Sequence, residues 1–211
     1  GYQGLLRLLH AAHDQPGGGH LGPCVTMAAL AANARGLLLL TGGPRGPIGQ
    51  PLLAGRADLA ERALSRLRDA FDDRLYVELL RHDMDEETEI EAALIDLADR
   101  FEVPLVATND VYFATPDMHE AHDALLCVAE GAHIADTKRR RVTPEHYFKS
   151  AAAMRALFAD LPDACDNTVL IAQRCSFMVE TAKPMLPAFE VGEGAGEEQA
   201  LRQLARAGLA E

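Results

Sequence analysis

The chain has 211 residues, of which 48% are apolar and 25% are charged, and this composition is typical of a globular protein rather than a disordered or fibrous one. Its 20 Lys and Arg residues against 32 Asp and Glu residues give a net charge of −12. A field of this sign repels polyanions, which excludes a strong grip on nucleic acid by this chain alone. No apolar run reaches the length of about 18 residues that a membrane helix needs, and no secretory signal is recognised. A cytoplasmic location is expected.

The four cysteines lie far apart, at positions 24, 127, 165 and 175, and no two of them form a C-x-x-C pair. This spacing indicates neither a zinc knuckle nor a disulfide framework, so buried or half-buried free thiols are expected. The chain begins without methionine, in a stretch whose pattern indicates a helix. We therefore expect it to be a piece of a longer polypeptide.

Predicted helices and strands alternate over much of the chain. Apolar residues spaced three and four apart indicate the helices, and short apolar runs between glycines or prolines indicate the strands. Asp85 and Thr115 are of the residue types that cap helices, and the stretches 15–19 and 42–49 are predicted loops whose glycines serve turns. In chain order we predict a helix over 2–13, a helix over 25–33, a strand over 36–41 buried on both faces, a helix over 56–71, a strand over 74–80, a helix over 85–101, a strand over 104–108, and helices from 115, over 151–158, over 163–175 and over 197–207.

Strands that alternate with helices of this length predict an α/β fold with parallel strands and right-handed crossovers. The sheet is then either part of a barrel or doubly wound. Three strands cannot close a barrel, so a barrel would need further strands outside this chain. The pattern becomes helical from about residue 143, and the glycines of 192–196 indicate a linker.

Polar side chains follow two of the predicted strands at their carboxyl ends, where α/β barrels carry their chemistry. His82 comes two residues after the second strand, and Asn109 and Asp110 come directly after the third. A histidine nitrogen and a carboxylate oxygen suit Zn²⁺ or Mn²⁺. Two ligands alone make a poor site, so a role as rim residues or helix caps stays open for His82 and Asp110.

Two further clusters of polar residues are candidates for a functional site. His119 and His122 do not have the His-Glu-x-x-His spacing of zinc proteases, and a packing or hydrogen-bonding role is expected for them. No Ser-His-Asp elbow is present, and no catalytic residue is predicted. The basic run predicts either a contact with phosphate or an acidic neighbour, or a hydrated turn; it consists of Lys138, Arg139, Arg140 and Arg141.

Several motifs, in register over most of the chain, resemble the PHP domain of the alpha subunit of bacterial DNA polymerase III. They are 36–49 (GLLLLTGGPRGPIG), 76–82 (YVELLRH), 106–112 (VATNDVY), 120–127 (EAHDALLC), 143–150 (TPEHYFKS), 157–162 (LFADLP), 167–168 (NT) and 183–189 (KPMLPAF). The resemblance implies a partial, distorted seven-stranded (β/α)7 TIM-like barrel that lacks its N-terminal strands and is followed by helices. It further implies a partial PHP domain over 1–189 and, over 190–211, a linker and first helix leading toward the polymerase palm.

The resemblance also implies a metal cluster, of which His82 and Asp110 match two positions. Metal-binding members carry Asp-x-His after Ala-Thr-Asn, whereas this chain has Asp110, Val111 and Tyr112. A phenol with a pKa near 10 is a poor neutral ligand for a divalent ion. We therefore expect a damaged site without bound Zn²⁺ or Mn²⁺.

Members with a damaged site leave proofreading to a separate exonuclease subunit that docks on the same domain. The resemblance thus implies a structural and docking role here, with other holoenzyme subunits as partners, and with DNA contacts and Mg²⁺-dependent DNA synthesis elsewhere in the parent chain. Two alternatives stay open. One is a metal-dependent phosphoesterase or intrinsic 3′–5′ exonuclease, and the other is the error-prone relative of the alpha subunit.

Overall fold

The computed structural model describes residues 1–14, 23–185 and 196–210. The chain divides into two units, Gly1–Cys175 and Ser176–Glu211. Among its described residues, the first unit has eight α-helices and three strands: α1 (Tyr2–Asp14), α2 (Met27–Ala32), β1 (Leu39–Leu40), α3 (Gly49–Leu53), α4 (Ala57–Phe71), β2 (Leu75–Leu79), α5 (Asp85–Arg100), β3 (Leu105–Ala107), α6 (His119–Glu130), α7 (Ala151–Leu157) and α8 (Pro162–Arg174). Helix α9 (Glu197–Ala210) belongs to the second unit.

The three strands form a parallel sheet in the order β1-β2-β3. Leu39 pairs with Leu75, and Val77 pairs with Leu105, so each connection crosses over through helices. This confirms the predicted parallel α/β arrangement. Closure of the sheet into a barrel stays a prediction.

Helices α4 and α5 supply most of the helical side chains of the buried core, and α8 packs on β3. Their apolar positions recur at helical spacing, which places Leu64, Leu67 and Phe71 of α4 on one buried face and Ile90 and Leu94 of α5 on another. Burying such side chains contributes about 1.5–3 kcal/mol each. The central strand β2 is therefore covered along nearly its whole length.

Several element boundaries differ from the sequence prediction for local reasons. The strand predicted over 36–41 shrinks to β1, which is half-buried rather than buried because it pairs only with β2 in the described structure. Asp85 is the first residue of α5 instead of its cap, a position that Met84 takes. Thr115 makes no capping hydrogen bond, and a 3₁₀ turn, Pro116–Met118, precedes α6.

The predicted loop over 42–49 contains a 3₁₀ turn, Gly43–Arg45, and the start of α3, a helix that the sequence prediction missed. Its glycines do serve turns. Gly42 has a φ of +81°, and a Cβ on Gly46 would meet the carbonyl oxygen of Thr41 at 1.7 Å, so both positions need glycine. The loop predicted over 15–19 lies outside the described residues.

Cys127 and Cys165 are buried free thiols, as expected, whereas Cys24 and Cys175 are exposed, so the expectation of burial was wrong for these two. None of the described helices is long and apolar enough to cross a membrane. The linker over 192–196, apart from Gly196, and the boundary at 189 and 190 lie outside the described residues. The division into 1–189 and 190–211 stays a prediction.

Arg81, two residues after β2, links three segments of the chain through hydrogen bonds of its side chain. Its guanidinium donates to Glu91 of α5 at 2.8 and 2.9 Å, to both oxygens of Asp160 at 2.7 Å, and to the carbonyl of Leu157 at 2.7 Å. It also lies 4.5 Å from the ring centroid of Phe158. The hydrogen bonds with Asp160, and then those with Glu91, raise the pKa of Arg81 further above its usual range. Paired and stacked in this way, the cation stabilises the contact of α5 with the turn after α7.

We predict that Arg81→Ala lowers the free energy of unfolding by about 2 kcal/mol, because it leaves Glu91 and a carbonyl without their donor. Arg155→Ala is the matched control, since Arg155 makes a single ion pair with Asp166 and both side chains are more than half exposed. Urea unfolding followed by circular dichroism measures both. Equal midpoints for the two variants would contradict a stabilising role for Arg81.

Candidate functional site

The carboxyl ends of β2 and β3 bring His82, Asn109 and Asp110 together, as the strand order requires. His82 Nε2 lies 3.0 Å from Asn109 Oδ1 and 3.1 Å from the backbone nitrogen of Asp110. The His82 side chain is only 1% exposed. The predicted proximity of these three residues at one rim is confirmed.

Glu87, in the first turn of α5, holds the opposite edge of the His82 ring. Its Oε1 lies 2.7 Å from His82 Nδ1, and its Oε2 accepts the backbone N–H of His82 at 2.5 Å. Burial acts to raise the pKa of Glu87, but the hydrogen bonds from His82 outweigh burial and hold this pKa below its ordinary value. The pairing of Glu87 with His82 was not predicted from the sequence.

The segment after residue 142 covers the remaining face of His82. His146 stacks on His82 with ring centroids 4.2 Å apart, and Thr143 Oγ1 donates to the carbonyl oxygen of His82 at 2.5 Å. Burial, and then the neighbouring His82, hold the pKa of His146 below its ordinary value. Thr143 and His146 both lie in the TPEHYFKS motif, which was the one sequence signal that pointed to them.

These contacts leave His82 Nε2 engaged within the protein in either protonation state. A neutral ring protonated at Nδ1 accepts from the Asp110 N–H, and an imidazolium donates to Asn109 Oδ1. The Asn109 amide is itself oriented, since its Nδ2 donates to the carbonyl of Tyr147 at 2.9 Å. A metal ligand would need this nitrogen's lone pair free and aimed at the ion.

The donor set around this rim does not fit a divalent metal. The Asp110 side chain is exposed, and Tyr112 packs its ring 5.4 Å from the centroids of His122 and His146. Within the described ranges, no three His, Cys, Asp or Glu side chains are grouped closely enough to hold an ion. A metal role for His82 and Asp110 stays a prediction that this geometry does not support.

His119 and His122 have the packing role expected for them. His119 Nε2 lies 2.9 Å from the carbonyl oxygen of Val142, and both rings contact Phe113. His122 Nδ1 is buried and has no hydrogen-bond partner in the described structure. These contacts attach α6 to the segment that carries His146.

The basic run is only partly a hydrated turn. Arg139 is 3% exposed and forms a two-fold ion pair with Asp123 of α6, and this pairing holds the pKa of Asp123 below its ordinary value. Arg141 donates to the carbonyls of Ile134 and Asp136, while Lys138 and Arg140 are exposed. The hydrated-turn reading was therefore wrong for Arg139, and the acidic neighbour that it contacts lies in its own chain.

A cavity of about 340 Å³ opens beside the rim, lined by residues that include Arg45, Asp110, Tyr112, Arg141 and His146. Its wall carries charges of both signs, and Asp110 and Tyr112 expose their side chains to it. The cavity is large enough for a small ligand. Its mixed lining selects neither an anion nor a cation.

Comparison with known proteins shows what this chain is similar to. Residues 1–82 match the family profile described as PHP domain. The chain is 50% identical over 187 residues to the DNA polymerase III subunit alpha of Caulobacter vibrioides (strain NA1000 / CB15N), covering 89% of this chain and 16% of that relative. It is 40% identical over 212 residues to the protein of that name from Rickettsia bellii (strain RML369-C) and 36% identical over 212 residues to that from Escherichia coli (strain K12), covering 99% and 100% of this chain. The chain spans only 16–18% of the length of these relatives.

We predict that Glu87→Gln lowers the free energy of unfolding at pH 7 by about 2 kcal/mol, because His82 loses a charged hydrogen-bond partner. Glu86→Gln, one residue earlier and exposed, is the matched control and should leave stability unchanged. Urea unfolding at pH 7 measures both. A loss of equal size in the two variants would mean that Glu87 acts only through the charge of the helix start.

The free energy of unfolding of the Glu87→Gln variant should also depend on pH differently from that of the wild type. A carboxyl whose folded pKa lies below its ordinary value of 4.5 stabilises fully above that value, and the contribution is lost as pH falls through the folded pKa. The Glu87→Gln variant should therefore lose less stability than the wild type between pH 5 and the acid transition. If the stabilities of the two proteins fall in parallel as the pH is lowered, the pKa of Glu87 is not held below its ordinary value.

Proposed function

We infer the function of this chain from its family: it belongs to the PHP region of the bacterial DNA polymerase III alpha subunits. We propose that it is a structural domain and docking platform for a proofreading exonuclease subunit. The parent chain, in this proposal, carries out template-directed, Mg²⁺-dependent DNA synthesis in the cytoplasm, together with the other holoenzyme subunits. DNA is bound by the parent chain elsewhere and not strongly by this acidic region.

One observation carries the non-catalytic role. His82, at a position that matches the family's metal cluster, is 1% exposed, and its Nε2 is held between Asn109 Oδ1 and the Asp110 N–H. A ring nitrogen whose lone pair accepts a backbone N–H is not free to bind an ion. Tyr112 in the place of a histidine removes a further ligand from the same rim.

The acidic charge supports a protein partner over DNA. A net charge of −12 repels the phosphate backbone and attracts basic protein surfaces. The relatives reported above all bear the name of the alpha subunit, which supports the replicative subunit over its error-prone relative. No catalytic residue is assigned to this region.

We predict that the full-length parent polymerase binds no Zn²⁺ or Mn²⁺ through Asp110. The measurement is elemental analysis of the full-length protein after equilibration with each ion and removal of free metal, beside the Asp110→Ala variant. Equal metal contents are expected. Bound ions that disappear in Asp110→Ala would make an intrinsic phosphoesterase or 3′–5′ exonuclease the function of this region.

We predict that the purified proofreading exonuclease subunit slows amide hydrogen exchange within residues 1–175 of the full-length parent polymerase. Docking covers backbone amides and lowers local opening, so peptides from this region should gain protection when the subunit is present. Bovine serum albumin at the same concentration is the control for nonspecific effects. Protection confined to other parts of the parent chain would contradict a docking role for this region.

A further inference from the structure

Aromatic rings form an unbroken series beside the rim. From one ring to the next, the centroids lie between 4.2 and 5.9 Å apart, and the ring planes are stacked, tilted or edge-on. These are the distances and angles of attractive ring contacts. In order, the rings belong to His82, His146, Tyr112, His122, Phe113 and His119. We call these six side chains the ring series.

The ring series connects four parts of the chain: the residues after β2, the residues after β3, the segment 143–149 and helix α6. Tyr112 is its central member, because its ring lies 5.4 Å from the rings of both His146 and His122. On one side, His146 leads to the buried His82. On the other side, His122 leads to Phe113 and α6. Loss of the Tyr112 ring would therefore divide the series into two halves.

Backbone hydrogen bonds place Tyr112 beside the segment 143–149. The Tyr112 N–H donates to the carbonyl of His146 at 2.9 Å, and the Phe148 N–H donates to the carbonyl of Phe113 at 3.0 Å. Phe113 and Tyr147 form a parallel bridge between these two stretches. The Tyr112 ring is thereby held next to the segment 143–149, with α6 on its other side.

The His146 ring is fixed at its edge as well as on its face. Its Nδ1 lies 3.0 Å from Thr143 Oγ1, and this hydroxyl donates its proton to the carbonyl of His82. Thr143 Oγ1 can then only accept from His146, so the imidazole carries a proton on Nδ1. The ring of His146 is therefore held in one orientation between His82 and Tyr112.

Ring contacts can join these segments as a metal cluster would. Ligands from distant segments contribute to folding when one ion binds them all. At position 112, where the metal-binding members of the family have a histidine, this chain has a phenol ring that contacts two imidazoles. A contact between rings uses their faces and edges and needs no free nitrogen lone pair. The side chains present are thus sufficient to hold the rim together.

We infer that Tyr112 is a positioning residue that holds the rim closed independently of a metal ion. Its ring fixes the segment 143–149 and α6 to each other and, through His146, keeps His82 buried. This inference goes beyond the docking role proposed above and does not depend on it.

The test is amide hydrogen exchange of the full-length parent polymerase, measured peptide by peptide. Tyr112→Ala should speed exchange about tenfold in both the segment 143–149 and α6, because two ring contacts are lost between them. Peptides from α4, which contains none of the six rings, should exchange as in the wild type. Equally faster exchange throughout residues 1–175 would mean a general loss of stability and would contradict the inference.

Two further variants separate the ring from the hydroxyl and from apolar bulk. Tyr112→Phe keeps the ring and should exchange as the wild type does. Tyr112→Leu keeps apolar bulk without the ring, should speed exchange about threefold in the same two places, and replaces Tyr112→Ala if that variant does not fold. Phe148→Ala is the matched control, since Phe148 lies in the same segment and is 71% exposed. Exchange in Tyr112→Phe as fast as in Tyr112→Ala would overturn the role of the ring.

A chelator distinguishes the ring from an ion. Neither EDTA nor the later addition of Zn²⁺ or Mn²⁺ should change exchange in the segment 143–149 of the wild type. Faster exchange in EDTA that either ion reverses would mean that an ion holds the rim closed, and the inference would be wrong. The exonuclease subunit is left out of all these samples, so their outcome is separate from that of the docking function.

Discussion

The pair formed by the buried His82 and Glu87 is the interaction on which the rest of the rim depends. An imidazole and a carboxylate leave water together, and this is favourable only when every polar atom finds a partner. Glu87 accepts from the ring and the backbone of His82, and Asn109, Asp110 and Thr143 complete the set. The ends of two strands, the start of α5 and the segment after residue 142 are thereby fixed to one another.

Much of this architecture follows from local patterns. Short apolar runs predict β2 and β3, and because the carboxyl ends of parallel strands share one edge of a sheet, they also predict that His82 and Asp110 lie at one rim. The role of His82 and Asp110 at this rim could not be predicted from these patterns. Whether a histidine nitrogen faces an ion or a backbone N–H depends on distances of a few tenths of an ångström between segments far apart in sequence.

The elements that escaped prediction have tertiary causes. Helix α3 is five residues long, contains Pro51, and persists because it packs on α4 and α5 rather than by its own propensity. Arg139 was expected in solvent as part of a charge run, and its burial depends on Asp123, sixteen residues away on another element.

The sequence separation of the His82 contacts has a consequence for biosynthesis. Glu87 follows His82 by five residues and Asn109 by 27, but the hydroxyl that satisfies the His82 carbonyl comes 61 residues later, on Thr143. A chain emerging from the ribosome can form the sheet well before this last partner is available. The nascent rim is therefore only partly satisfied until residue 143 has left the exit tunnel.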